Sequence, residues 1–370
     1  MKKIAIVGIG GRTGTMFAFE LRNSAEILGV GRKEEVEKIK DYNPPVTLPL
    51  KRAPGKIFVL RGKEKIKYEG KIISQEEFNE EVVPDFIFLC VKNPVSSAVK
   101  YYYQRVKKDY YPPTTRGAQT KVWEGGGRVG VPPFGRAPKI PSLILSQNGI
   151  SAVEDAKKEL EEIFGETSKE IRIIRVNLFN PISSEKNNDE VKISYFLPVR
   201  LVFGVASGPR ETNDLKEIFK KANIEAEEVL SENIKNMEFS KLVTNLIGMA
   251  AAARGFEIGE GFEQKEIFEE EIRALKEYIK VVKKSGGKFL NFNHYPIKLL
   301  TFLINFLPLP ILRIFRKTVA KAITKGRGGK EKGNIDEIEY YNGAVIRLGE
   351  KFKVETPINK KIYQTIKEKL

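Results

Sequence analysis

Lys241 and Asn245 stand in the stretch FSKLVTNLIGMAAAARG, residues 239–255, which is apolar or small at nearly every position from Leu242 to Ala253. Such a run predicts a helix hydrophobic on all sides, one that belongs in an interior. Residues four apart share a helix face, so the ammonium and the amide point to the same place. An ammonium held there can stabilise negative charge on an oxygen and give up a proton; the plain alternative is a helix-start lysine reaching for water. The rest of the chain offers few other proton carriers. It holds one histidine, His294, and one cysteine, Cys90, which excludes an internal disulfide and any His/Cys zinc cluster. Proton transfer falls to Lys, Glu, Asp or Tyr, and no metal site is expected.

A second group of residues suits phosphate chemistry. GIGGRTG, residues 8–14, follows the apolar stretch KIAIV and precedes a helical one. Glycines there let backbone N–H groups approach a pyrophosphate at a helix N-terminus. Gly8, Ile9, Gly10, Gly11, Arg12 and Thr13 are the loop residues expected to contact a dinucleotide, on either a G-x-G or a G-x-x-G-x-x-G spacing. The next strand ends in GVGRKEE, where an acidic residue normally holds an adenosine ribose 2′-OH. Arg32 and Lys33 stand there instead and suit the 2′-phosphate of NADP(H), while Glu34 and Glu35 keep the other cofactor open. Lys92 in FLCVKNP and Asn148 in LSQNGIS each fall just past a strand end, at the sheet edge where ligands bind in open α/β folds. An Asn-Gly pair is also ordinary turn chemistry.

The elements that must position these residues change character along the chain. Strand-like runs alternate with helical ones up to about residue 230: 3–7, 26–31, 85–91, 142–146, 171–178 and 198–204, then EAEEVL. That alternation predicts a doubly wound parallel sheet, with the pieces between 40 and 75 a local elaboration. From 231 the pattern is helical, over 232–253, 263–284, two helices around a proline break, 336–352 and 357–369. The expected fold is therefore α/β: a Rossmann-type domain over residues 1–230 and an all-α domain over 231–370. A Pro/Gly/basic stretch from 107 to 141, with Arg116, Lys121, Trp123 and Arg128, is a long insertion of the kind that is functional or disordered. At 370 residues the chain is long enough for two such domains.

The net charge of +16 would suit nucleic acid, a membrane surface or an anionic ligand. No nucleic-acid module is present and the basic residues are spread out, so the charge is read as a solvated, Lys-rich surface. The segment Leu299–Phe315 is apolar but too short for a span and is broken by Pro308 and Pro310. It reads as two core or interface helices, with a membrane-surface role as the alternative. The N-terminal apolar run ends in glycines without a cleavage site and reads as a strand rather than a signal peptide.

In order along nearly the whole chain, these pieces resemble the ketopantoate reductase (2-dehydropantoate 2-reductase) family. The glycine loop, the arginine ending the second strand, CVKNP, QNG, SKLVTN and DEIEYYNGAVIRLGEKFKVETPIN at 336–359 carry the resemblance. It implies a Rossmann domain joined to a 6-phosphogluconate dehydrogenase C-terminal-like helical domain, with the active site in the cleft between them. NADPH would donate hydride to the C2 carbonyl of a 2-oxo acid, ketopantoate giving pantoate for coenzyme A synthesis, in the cytoplasm. Lys241 falls on the family's general acid, Asn245 on a substrate-binding amide and Asn148 on the asparagine beside both nicotinamide and substrate. Lys92 falls on a cofactor-side lysine and Glu337 on a late glutamate that reaches both ligands. The chain departs from the family at Met249 and Gly259, where asparagines usually stand, and in lacking a Ser-containing loop after GRGGK. Arg254, Arg116 or Arg128 are candidates to replace the lost carboxylate contacts. The expected partner is a small 2-oxo acid, with no nucleic acid and no membrane span; a homodimer is compatible.

Overall fold

A computed structural model describes residues 1–34, 36, 57–61, 64–78, 84–110, 140–187, 190–326 and 333–370. Glu35, most of the 107–141 insertion with Arg116, Lys121, Trp123 and Arg128, and the segment after Gly326 lie outside the described residues. The strands are β1 Lys3–Val7, β2 Glu26–Gly31, β3 Ile57–Arg61, β4 Glu64–Lys67, β5 Lys71–Ser74, β6 Phe86–Leu89, β7 Ser142–Leu145, β8 Ile173–Leu178, β9 Ile182–Asn187, β10 Glu190–Tyr195, β11 Arg200–Ser207 and β12 Glu225–Glu228.

Eight of them form one sheet in the order β12-β11-β8-β7-β6-β1-β2-β5. Every neighbouring pair is parallel except β8 with β11. The central strands KIAIV, FIFL and SLIL are apolar at almost every position because both faces are covered. Their period of two divides them: Ile4, Ile6, Phe86, Phe88 and Ile144 pack on the helix Arg12–Leu21 through Phe17 and Phe19. Ala5, Val7, Ile87, Leu89, Leu143 and Leu145 pack on the opposite side, with Val99 and Tyr103 of the helix Ser96–Tyr110 and Ala156 and Leu160 of the helix Ala152–Phe164. The chain runs outward from β1 through β2 to β5 and returns to β6 on the other flank, so the topological switch point lies between β1 and β6. Ligand crevices of open α/β sheets form at that point, beyond the strand carboxyl ends.

The 40–75 region is more than a local elaboration. Strand β3 (IFVLR) pairs in parallel with β10, more than a hundred residues on, and β4 and β9 complete a second sheet in the order β4-β3-β10-β9. This sheet sits against the helix Arg12–Leu21, where Tyr195 donates its hydroxyl to Glu20 and Arg12 reaches the carbonyl of Ile182 at 3.3 Å.

The second half is helical, as expected, with differences at its breaks. The run 232–253 is two helices, Ile234–Leu246 and Met249–Ala252. Gly248 turns left-handed (φ +98) between them, and the buried Glu271 carboxylate accepts the N–H groups of Gly248 and Ala250, both at 2.9 Å. A negative side chain inside the core thus caps the second helix. Around the prolines there are three helices, Ile297–Phe306, Leu309–Ile314 and Arg316–Gly326. The expected helix 336–352 is a 3-10 turn, Ile335–Tyr340, followed by the helix Asn342–Phe352. Met237, Phe239, Leu242, Phe268 and Tyr278 anchor the helical core, which also takes in Ile150, Phe179 and Val202 from the sheet domain.

Candidate active site

The sheet's carboxyl edge gathers the sequence-predicted residues. Leu89 of β6 pairs with both Val7 of β1 and Leu145 of β7, so the segments after all three strands start at one level. Gly8 (φ +90) opens the first segment and donates its N–H to Val30 at 2.8 Å. Ile9 and Gly10 are buried, Gly11 and Thr13 half-buried and Arg12 exposed. The helix that begins at Arg12 has Gly11 at its N-cap and no side-chain cap. A Cβ on Gly14 would sit 2.2 Å from the Gly8 carbonyl oxygen, so the helix start can approach the loop only with glycine there. That combination, a tight glycine turn feeding an uncapped helix N-terminus, fits a dinucleotide pyrophosphate. Arg32 and Lys33 follow β2 at the same edge, both exposed.

The segments after β6 and β7 are tied to each other. The buried Gln147 donates its amide to the carbonyls of Leu89 (2.9 Å) and Val91 (3.1 Å), and Asn93 donates to the carbonyl of Asn148 at 2.8 Å. Cys90 lies at this edge as well. Burial pushes its thiol up to about 12, the Ser146 hydroxyl partly offsetting the shift.

From the helical domain, Glu337 meets this edge. It is 7% exposed, and its Oε2 accepts from Asn148 Nδ2 (3.0 Å), Asn334 Nδ2 (2.7 Å) and the Tyr341 hydroxyl (2.7 Å). Burial, then the Glu337 charge, hold the Tyr341 phenol well above its ordinary range, with Arg12 of the glycine loop acting the other way. Tyr341 therefore stays a neutral donor. Next in sequence to Glu337, Asp336 pairs with Lys92 at 2.8 Å in the open. Asn245 Nδ2 reaches Asn148 Oδ1 at 3.5 Å, the outer limit of a hydrogen bond. The structure thus brings Lys92, Asn148, Asn245 and Glu337 to one junction of the two domains. Lys241 is half-buried one turn before Asn245, its Nζ 4.7 Å from the centre of the Phe179 ring, a cation–π distance.

Beneath the junction lies a group that reasoning from the sequence missed. Arg175, in the middle of β8, is fully buried and pairs through Nε with the buried Glu238 at 2.7 Å. Its remaining N–H groups go to the carbonyls of Leu145 (3.1 Å), Val176 (2.9 Å), Gln147 (2.5 Å) and Gly149 (3.3 Å). Gln147 and Gly149 flank Asn148, and Glu238 lies three residues before Lys241 on the same helix. One guanidinium therefore fixes the Asn148 turn relative to the Lys241 helix. Burial pushes the Glu238 carboxyl above its ordinary value, with the Arg175 guanidinium opposing it. Asn334 and Tyr341 were missed too, although their spacing from Glu337, three before and four after, was a usable signal. Arg254 is engaged elsewhere, with Glu270 and the carbonyl of Ala250, and Met249 is buried. No metal-binding cluster is present among the described residues.

Residues 233–370 match the model of the ketopantoate reductase PanE/ApbA C-terminal family. No curated protein sequence matches the chain. Among solved structures, D-mandelate dehydrogenase with NADH and anilino(oxo)acetate aligns with a TM-score of 0.65 at 16% identity, over 99% of this chain and 97% of that one. A PanE/ApbA family ketopantoate reductase from Ralstonia eutropha JMP134 aligns with a TM-score of 0.66 at 13% identity, over 99% and 97%. The 2-dehydropantoate 2-reductase from Geobacter metallireducens GS-15 aligns with a TM-score of 0.61 at 15% identity, over the whole of both chains. The fold is theirs from end to end. Residues 233–370 thus resemble the ketopantoate reductase C-terminal domain, and the chain as a whole shares the fold of these structures.

Proposed function

We propose that this protein is an oxidoreductase that reduces a 2-oxo acid to a 2-hydroxy acid with NADP(H). The observation that carries the reading is the meeting of Asn148, Asn245 and Glu337 where the sheet's carboxyl edge touches the helical domain. A bound nicotinamide cofactor supplies the hydride. The Gly8–Thr13 loop would hold its pyrophosphate through backbone N–H groups and Arg32 and Lys33 would hold a 2′-phosphate, with Lys92, Asn148 and Glu337 also contributing to the cofactor site. Lys241 holds a proton on Nζ and gives it to the substrate's C2 oxygen as that carbonyl becomes an alcohol, so the oxygen never carries a full negative charge. Asn245 and Asn148 orient the substrate, and Glu337 fixes the Asn148 amide.

Within this class ketopantoate is the substrate the resemblance names, which would place the reaction in cytoplasmic pantothenate and coenzyme A biosynthesis. Met249 and Gly259, together with the engagement of Arg254 by Glu270, favour a second reading: a different 2-oxo or imino acid bound by the same machinery. Similarity to a D-mandelate dehydrogenase supports that breadth. A nucleotide-binding regulatory protein without turnover is the third possibility. A screen of NADPH consumption against a panel of 2-oxo acids that includes ketopantoate separates the three. Turnover of ketopantoate above all others supports the first, turnover of another acid the second, and NADPH binding without turnover of any acid the third.

A further inference from the structure

The helical domain presents an apolar face to solvent. Thirteen large apolar side chains are exposed among the described residues, and seven of them fall between Leu299 and Phe315. The helix Ile297–Phe306 buries Ile297, Thr301 and Ile304 against the domain, an i, i+4, i+7 stripe. It turns a second apolar stripe, Leu299, Phe302 and Phe306, outward, with Phe306 63% exposed. At the end of the next helix, Leu309–Ile314, Ile314 is 75% exposed. A helix apolar all round is normally covered on every side, and clustered exposure of this kind marks an interaction site.

The charges around the face select its partner. From Tyr278 to Lys330 the sequence holds twelve Lys or Arg and no Asp or Glu. The Lys283 ammonium lies 5.4 Å from the Phe306 ring centre, and Lys298 on the same helix as the stripe and Lys317 on the helix Arg316–Gly326 are exposed. Glu269 pairs with Arg313 and Arg273, and Glu270 with Arg254 and Lys361. A second copy docking here about a two-fold axis would set lysines against lysines. An anionic bilayer accepts both features, apolar side chains at the acyl boundary and ammonium groups among the headgroups. Helices of ten and six residues are too short to span it, and among the described residues no helix is long and apolar enough to cross a membrane.

We propose that residues 297–317 dock the protein on an anionic phospholipid surface, Phe302 and Phe306 entering the interface and Lys283, Lys298 and Lys317 contacting headgroups. The test is flotation of the full chain with vesicles of phosphatidylcholine alone and of equal parts phosphatidylcholine and phosphatidylglycerol, together with sedimentation equilibrium. The expected result is binding to the anionic vesicles only, lost at high salt and lost in a Phe302→Ser/Phe306→Ser variant that melts like the wild type. Replacing Lys283, Lys298 and Lys317 by Gln should lower the partition coefficient roughly a hundredfold, about fivefold per charge. Equal flotation with both vesicles, or none with the anionic ones, would overturn the proposal. So would a dimer that the Phe→Ser variant dissociates, which would assign the face to self-association.

Discussion

Glu337 offers one oxygen to three donors, on Asn148, Asn334 and Tyr341, and removing it leaves all three partly or fully buried without an acceptor. An unsatisfied buried polar group costs about 1–3 kcal/mol. Glu337→Ala should therefore destabilise the fold by at least roughly 2 kcal/mol, read as a lowered denaturant midpoint. Glu337→Gln keeps an acceptor oxygen and should lose less than half as much; equal losses for the two would show that the three contacts carry little energy. Farther along the sheet's carboxyl edge, Arg32 and Lys33 stand exposed after β2. A charge-assisted hydrogen bond to a 2′-phosphate contributes about 1.5–3 kcal/mol, roughly tenfold or more in affinity. NADPH should bind more tightly than NADH, and Arg32→Glu should erase or reverse the gap in a titration.

The elements around Asn148 were unevenly legible. Lys92 and Asn148 could be placed at one sheet edge because each follows a short apolar strand, and those strands are β6 and β7, neighbours in the sheet. Spacing of four put Lys241 and Asn245 on one face, and the late 336–359 signature pointed to Glu337. The second sheet was not legible, since the partner of β3 is β10, a strand more than a hundred residues away, and nothing in the alternating sequence EVKISY names that partner. Nor was the break at Gly248, which depends on a carboxylate from another helix, Glu271. Arg175 left no local signal either: an arginine inside RIIRVNL acquires meaning only when Glu238 and the turn at Asn148 arrive beside it. Breaking a buried ion pair costs about 3–5 kcal/mol, whereas replacing both partners by apolar residues is often nearly neutral. Arg175→Met alone should be strongly destabilised, and Arg175→Met/Glu238→Leu should recover most of that loss. The pair variant should still turn over slowly, because the Asn148 turn is no longer fixed to the Lys241 helix. Full recovery of kcat with stability would make the pair merely structural.

The whole molecule is two halves that meet at one junction. Under the proposed function, the sheet domain would hold the cofactor and the helical domain would supply the proton. Ligand that binds only the folded chain stabilises it, by about 2.7 kcal/mol at a hundred times the dissociation constant. NADPH at that excess should raise the melting temperature of the wild type, and by the same amount in Lys241→Ala, because the lysine lies outside the glycine loop.

The most direct measurement is a single-turnover assay of Lys241→Ala beside the wild type, following NADPH oxidation with the 2-oxo acid that proves active. General acid catalysis typically contributes about 10²–10⁴-fold. The predicted result is a hydride-transfer rate at least about a hundredfold below wild type with the NADPH dissociation constant unchanged, while Asn245→Ala acts mainly on KM. A folded Lys241→Ala protein that oxidises NADPH at close to the wild-type rate would contradict the assignment of Lys241 as proton donor.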